Sequence, residues 1–395
     1  MNKILRHPLI KPAGKALYGV LLISTVLYSL VFSGFTNQTL PMIRITGRLQ
    51  GPVSAAVSLL CAVCVLLEAP RGWRRALFAA LLLCMRVFGA MVWQSGMLLN
   101  TLLLAVLSDL GTEKSNARCW LASHGLYVLL MAALLLTGSV QDVPTYHTKS
   151  LWIFRTGHSF GMGHPNSFAV FFMSTWMMLW VLFLPKRWWG TVLYYLVGGV
   201  AVGALTLSRT AMALMILFPA LYYLTLALSR TRHPGCLRAA TALPFSALAV
   251  TLAMGLLLSR LSRYYSDGAF WMRFSDISVL KQSGLSLFGY TPVTDGILDN
   301  MYIWLLVYCG AVPTLCSLIL YGYMLDRLAV SRRVPLFAVA VLFVFYGLME
   351  NAAAYPIYFF VPMLALAPRE KKAKRLISRN TPEQIHDGLP YGRKG

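Results

Sequence analysis

Arg209 is the residue whose position most clearly demands a chemical explanation. It stands between two apolar runs, each long enough to cross a bilayer, with almost no loop around it. Its guanidinium must therefore lie at a membrane edge or face a polar cavity, because burial in lipid costs several kcal/mol. A guanidinium is a planar fork of donors that matches phosphate oxygens, so Arg209 suits an anionic ligand such as a diphosphate. The alternative is a side chain that snorkels to lipid headgroups.

Two long polar segments carry further candidate groups. The first, 139–166, contains His147, Arg155, His158 and His164 and ends in a Gly-rich turn. The second, 260–300, is the longest loop in the chain, and its aromatic residues could stack on sugar rings or form an interfacial belt. These aromatic residues are Tyr264, Tyr265, Phe270, Trp271 and Phe274.

Two further charged side chains interrupt apolar runs. Glu350, followed by Asn351, is wedged between the last two runs, and Arg86 lies within the third. Arg86 could pair with Glu350 or with another acid, in a structural or a ligand-binding role.

Motifs of several enzyme classes are missing from the sequence. It contains no DxD and no His, Cys or carboxylate set with metal-ligand spacing, so neither a metal ion nor a cofactor is expected. It also has no G-x-S-x-G and no Walker loop, which leaves nucleotide hydrolysis and serine-type acyl transfer without support. The seven cysteines lie mostly in apolar runs and are expected to be free thiols.

Composition identifies the elements that must position these groups. Of 395 residues, 58% are hydrophobic and 12% are charged, which is too apolar for one soluble core. The formal charge of +22 lies in short clusters between apolar runs, so nucleic acid is not an expected partner. The prediction is an all-α, polytopic transmembrane helical bundle.

About twelve spans are predicted, with a long extracytoplasmic loop between the ninth and the tenth. They cover approximately 16–33, 51–68, 76–93, 97–110, 119–138, 166–184, 188–207, 211–228, 239–259, 301–325, 335–349 and 353–367. With this count, 25 of the 35 Lys and Arg residues fall on one side, which is therefore the cytoplasm and holds both termini. Residues 1–368 form a single transmembrane domain with extracytoplasmic loops 139–166 and 260–300, and 369–395 form a disordered basic tail that contacts membrane lipid.

Several of these segments resemble the O-antigen ligase and Wzy-type polysaccharide polymerase superfamily, bacterial membrane glycosyltransferases that use undecaprenyl-diphosphate-linked glycans. The resemblance covers most of the membrane region. It rests on FGMGHPNS at 160–167, SRTA at 208–211, Arg273, SLFGY at 286–290 and DNMYIWLLVYCG at 299–310.

The resemblance implies roles for particular residues. Arg209 and Arg273 match two family arginines that hold the carrier diphosphate. Family ligases have a His-Asn pair where this chain has Asp299 and Asn300, and that histidine is their proposed base, so the departure favours a polymerase. The base is then Asp299, His164 or Glu350, while His164 could instead cap the following helix. The other expected substrate-binding residues are Arg155, His158, Asn166, Ser208, Asn300 and Tyr302.

The implied reaction is metal-independent transfer of a growing capsule, exopolysaccharide or O-antigen glycan from undecaprenyl diphosphate to the next lipid-linked repeat unit. It would occur on the outer face of the bacterial cytoplasmic membrane, with a flippase and a chain-length regulator as possible partner proteins. The alternatives are ligase-like transfer of a finished glycan to another acceptor, or a flippase for the lipid-linked oligosaccharide. Polar residues crowd one face rather than the midplane, which favours an enzyme over a transporter.

Overall fold

The chain folds as a bundle of helices, as a computed structural model shows. The structure describes residues 10–34, 40–69, 72–88, 93–142, 144–146, 156–162, 164–183, 187–231, 235–261, 277–289, 298, 300–350 and 360–368. The helices are α1 (Ile10–Gly34), α2 (Leu40–Glu68), α3 (Trp73–Phe88), α4 (Trp93–Val106), α5 (Glu113–Leu136), α6 (Pro165–Phe183), α7 (Trp188–Thr206), α8 (Arg209–Arg230), α9 (Gly235–Ala239), α10 (Leu243–Leu261), α11 (Ile277–Ser283), α12 (Met301–Trp304), α13 (Ala311–Val330), α14 (Val334–Tyr346) and α15 (Phe360–Leu366). Two short strands, β1 (Thr145–Tyr146) and β2 (Thr156–Gly157), pair antiparallel.

Seven helical stretches in the described part of the chain are long and apolar enough to cross a membrane. They are Pro12–Phe32, Met42–Glu68, Glu113–Leu136, Pro165–Phe183, Trp188–Thr206, Arg209–Arg230 and Leu237–Leu258. A helix satisfies all its backbone polar groups internally, which lipid requires of any spanning segment. The predicted all-α, polytopic membrane architecture is therefore confirmed, while the count of twelve spans stays a prediction.

Helix α14 forms the centre of the bundle. It is apolar on every face, and nearly all of its residues are buried, as expected of a helix surrounded by other helices. The outer helices instead expose large aliphatic side chains on one side, such as Leu66 on α2 and Leu136 on α5. These side chains contact lipid in a membrane protein.

The connections between helices that the structure describes lie at two ends of the bundle. At one end, which we call the basic end, Arg75 pairs with Asp109, and Arg333 lies 3.5 Å from Glu113. The amide of Glu113 in turn donates to the carbonyl of Pro368 at 3.2 Å. These residues belong to the side that the charge distribution assigns to the cytoplasm. The opposite end, which we call the polar end, consists of the segment that follows α5, with β1 and β2, and of the turns that follow α7 and α14.

The predicted tenth span, 301–325, is wrong as a continuous helix. Its chain forms α12, a π-helical turn at Leu305–Cys309 and a break at Gly310, where φ is 86°, before α13 begins. A Cβ on Gly310 would lie 2.2 Å from the amide nitrogen of Gly289, so only glycine permits this close backbone approach. The amides of Ala311 and Val312 donate to the carbonyls of Ser286 and Leu287 at 2.9 and 3.0 Å.

This docking changes the interpretation of the 260–300 segment. Its described part contains α11, and residues 284–289 run into the helix break rather than forming a free loop. Backbone outside a helix is tolerated within a membrane bundle where protein satisfies its polar groups, as the carbonyls of Ser286 and Leu287 do for the amides of Ala311 and Val312. Residues 286–289 of the SLFGY motif therefore lie against Gly310, the last residue of the DNMYIWLLVYCG motif.

Candidate functional site

An aspartate–histidine pair lies at the polar end. Asp142 Oδ2 accepts a hydrogen bond from Nδ1 of His158 at 2.6 Å. The other oxygen of Asp142 accepts from the backbone amides of Ser159 and Phe160 at 3.0 and 2.7 Å. Because an ionised carboxylate can only accept, Nδ1 of His158 carries the proton and the neutral ring has its lone pair on Nε2. This is the arrangement in which a carboxylate orients an imidazole to act as a general base.

The turn between α7 and α8 holds this pair in place. The amide of His158 donates to the carbonyl of Leu205 at 2.7 Å, which fastens β2 to the last turn of α7. Gly157 makes the approach possible, since a Cβ there would lie 2.8 Å from both the carbonyl oxygen of Thr206 and Cγ of Leu207. The histidine is thus fixed beside the residues that lead directly into Arg209.

Arg209 is the first residue of α8, and its side chain is exposed. Ser208 caps the helix by accepting from the amide of Ala211 at 3.5 Å, and Leu207 takes a left-handed conformation with φ of 59° to turn the chain. The helix dipole adds positive potential at this N-terminus to the guanidinium charge. The turn therefore presents a concentrated positive charge at the polar end, as an anion site requires.

His164 lies at the start of α6, where it serves as the capping residue that the sequence allowed. Its Nδ1 accepts from the amide of Asn166 at 3.1 Å. In the neutral ring the proton is then on Nε2, so this arrangement makes His164 a hydrogen-bond donor rather than a base. His158 and His164 thus have opposite tautomers.

Glu350 lies in the turn after α14, and its side chain is buried, with 4% of the residue exposed. Its Oε2 accepts a hydrogen bond from Nδ2 of Asn166 at 3.0 Å, which joins α6 to the end of α14 across 184 positions of sequence. A buried carboxylate of this kind is costly unless it is hydrogen-bonded. Two predicted site residues are therefore in direct contact.

Asn300 and Tyr302 are fully buried and support the same turn. Asn300 caps α12 by accepting from the amides of Tyr302 and Ile303, and its Nδ2 donates to the carbonyl of Leu348 at 3.0 Å. The Tyr302 hydroxyl donates to the carbonyl of Val344 at 3.0 Å. These bonds hold the segment that carries Glu350. The predicted contact of both residues with substrate stays a prediction.

Arg86 does not bond to Glu350. Its guanidinium donates to the hydroxyls of Ser54 and Ser58 on α2, with the bond to Ser54 at 2.7 Å, and to the Ser54 carbonyl at 3.2 Å. Serines on a neighbouring helix therefore solvate this cation, which is a structural arrangement within the membrane region.

Three predicted site residues, Asp299, Arg273 and Arg155, lie outside the described residues. Conversely, Asp142 was not among the residues predicted from sequence. The signal was present, because only 13 acidic residues occur in the chain and Asp142 falls within a predicted extracytoplasmic segment. Its carboxylate does not itself suit an anionic ligand, whereas arginines and histidines do. Within the described residues, no group of three or more His, Cys, Asp or Glu side chains has the geometry to hold a metal ion.

Comparisons with known proteins add no relative. No protein family, curated protein or solved structure matches the chain. The resemblance to the ligase and polymerase superfamily therefore rests on the quoted residues alone.

Proposed function

We propose that the chain is a membrane glycosyltransferase that polymerises a capsule, exopolysaccharide or O-antigen from undecaprenyl-diphosphate-linked repeat units. The observation that carries the proposal is the pair of Asp142 and His158, fastened by its backbone beside the turn that presents Arg209. Glycan transfer from a diphosphate carrier needs these two functions in one place, namely a base for the acceptor hydroxyl and a cation for the leaving group.

In the proposed reaction, Nε2 of His158 takes the proton of an acceptor sugar hydroxyl. The oxygen then attacks the anomeric carbon of the donor glycan, and the bond from that carbon to the diphosphate oxygen breaks. The electron pair leaves with the diphosphate, and the configuration at the anomeric carbon inverts. Arg209, together with Arg273, stabilises the charge that develops on the diphosphate. No metal ion or cofactor takes part.

The remaining groups at the polar end would receive the acceptor. The Nε2–H of His164 suits an oxygen acceptor on a sugar or phosphate, and Glu350 suits a sugar hydroxyl as a donor. Asn166 connects these two residues. Its side-chain amide donates to Glu350, and its backbone amide donates to His164.

The proposed enzyme crosses the membrane twelve times. Twelve crossings put the basic end and both termini in the cytoplasm and the polar end outside the bacterial cytoplasmic membrane. The crossings beyond the seven long helices would be the shorter helices α3, α4, α14 and α15 and the broken pair of α12 and α13. A flippase that delivers the lipid-linked unit and a chain-length regulator are the expected protein partners.

The break at Gly310 invites comparison with transporters, whose discontinuous helices point free amides at a substrate. Here, however, carbonyls of the docked 284–289 segment already accept from the first amides of α13, at 2.9 and 3.0 Å. The half-helix end is thus closed by protein, which favours the enzyme over the flippase.

The test is an assay of purified full-length protein with lipid-linked repeat units prepared from the host cell. Wild type should yield a ladder of longer lipid-linked glycans, and Arg209→Ala should reduce its rate at least ~100-fold. Arg118→Ala, which removes an exposed arginine from α5 near the basic end, is the matched control and should retain the rate. A full ladder from Arg209→Ala would contradict the proposed binding of the diphosphate by Arg209. Transfer of the glycan to a different acceptor, without a ladder, would identify a ligase. Movement of the lipid-linked unit across vesicles without a new glycosidic bond would identify a flippase.

A further inference from the structure

A groove between α3, α4, α13 and α15 opens at the basic end, away from the proposed active site. It encloses about 260 Å³. Its walls include the apolar side chains of Phe78, Val106, Ile319 and Leu366, and the charged residues that line it are Arg74 and Arg75. Phe78 follows Arg74 by one helical turn, so the charged and the apolar parts of the groove are adjacent along the axis of α3.

The two arginines differ in their partners. Arg75 pairs with Asp109 and lies 4.0 Å from Glu68, so neighbouring acids compensate its charge. Arg74 lies over the ring of Trp73 at 5.6 Å, and no carboxylate in the described part of the chain forms an ion pair with it. The groove therefore combines an apolar channel with an arginine that retains its positive potential.

We propose that this groove binds one phospholipid with an anionic headgroup. The headgroup phosphate contacts Arg74, and an acyl chain lies along the apolar walls. The face of α13 that borders the groove is open to the bilayer, since Ile319 is 55% and Tyr323 49% exposed. Basic pockets between transmembrane helices at the cytoplasmic side are suited to anionic headgroups, which are enriched in that leaflet.

The experiment titrates delipidated full-length protein with phosphatidylglycerol or phosphatidylcholine of identical acyl chains and counts bound lipids by native mass spectrometry. Wild type should bind one phosphatidylglycerol more tightly than phosphatidylcholine. Arg74→Gln should weaken phosphatidylglycerol binding about fivefold, the effect of removing one cation at a membrane surface. Arg118→Gln is the matched control, because it removes an exposed arginine elsewhere on the bundle, and it should bind as wild type does.

A second variant tests the apolar part of the site. Ile319→Trp should fill the groove and weaken binding of both lipids by a similar factor. Equal binding of the two lipids to wild type, or an equal loss in Arg118→Gln, would overturn the proposal, since the groove would then be an ordinary lipid contact. Unchanged binding in both Arg74→Gln and Ile319→Trp would overturn it as well. None of these results depends on glycan transfer, so the proposed function is tested separately.

Discussion

Asn166 and Glu350 join the beginning of α6 to the turn that follows α14. The bond between Nδ2 of Asn166 and Oε2 of Glu350 is 3.0 Å long, and Glu350 is almost completely buried. A hydrogen bond to a buried carboxylate is worth more than one at the surface, because the unpaired carboxylate would have to be desolvated without compensation. This contact therefore couples α6 and α14 at the polar end.

A double-mutant cycle measures that coupling. We expect Asn166→Ala and Glu350→Ala each to destabilise the protein, and the double variant to be less destabilised than the sum by about 1–3 kcal/mol. The measurement is reversible unfolding in micelles, with each variant compared to wild type. If the two effects add within about 0.5 kcal/mol, the contact does not contribute to stability.

The pair of Asp142 and His158 predicts non-additive losses of activity. Asp142→Asn and His158→Gln should each reduce the rate of glycan polymerisation by about 100-fold or more, because the imidazole then lacks its orienting carboxylate or is itself missing. The double variant should be little worse than either single one, since the residues act as a unit. The measurement is the initial rate with lipid-linked repeat units.

The matched control for that pair is Asp326→Asn, which changes the same group in the exposed ion pair with Arg238 at the basic end, 3.4 Å apart. It should keep the wild-type rate, since exposed ion pairs contribute little. If His158→Gln kept the wild-type rate, the Asp142–His158 pair would have only a structural role, and Asp299 or Glu350 would be the candidate base.

Gly157 should be intolerant of a side chain although its position is not in a helix. In Gly157→Ala the new Cβ would collide with Thr206 and Leu207, so β2 would separate from the turn that leads to Arg209. We expect a loss of activity of about tenfold or more with the helical content unchanged, as misplacement of a catalytic group by even 1 Å is costly. Gly190→Ala, where a Cβ would meet open space, is the control. Equal activity in both variants would contradict the fastening of His158 to α7.

The helical architecture was more predictable from the sequence than the contacts within the candidate site. The bilayer imposes helices of a minimum length, so apolar runs such as those of α5 through α8 predict helices directly. The turn at Arg209 was predictable for the same reason, because a charge between two spans has few places to lie. The concentration of positive charge at one end of the bundle was predictable from the positions of lysine and arginine between the apolar runs.

Contacts across long stretches of sequence were not predictable in this way. Nothing in the local pattern relates Asp142 to His158, or Asn166 to Glu350, since these contacts depend on how the helices pack. The break at Gly310 also escaped prediction. Its sequence is apolar enough for one span, and only the docking of Ser286 and Leu287 replaces the lost helical hydrogen bonds.

Accessibility to a membrane-impermeant maleimide tests the orientation of the two ends. Gln141 and Arg332 are both exposed, the first at the polar end and the second at the basic end. Gln141→Cys should react in intact cells, whereas Arg332→Cys should react only after the membrane is permeabilised. Wild type supplies the background from Cys84, the one exposed cysteine among those described. The opposite pattern would invert the topology and place the proposed site in the cytoplasm.

Gly310 provides the most severe test of the helix break. Alanine at this position would face two penalties, a φ of 86° and a Cβ placed 2.2 Å from the backbone of Gly289. We expect Gly310→Ala to lose about 3 kcal/mol or more of stability and to yield little monodisperse protein. Gly138→Ala separates the two penalties, because Gly138 also has a positive φ, of 69°, but a Cβ there would meet open space. It should cost only about 1–2 kcal/mol. Equal behaviour of the two variants would mean that the 284–289 segment does not dock against the broken helix.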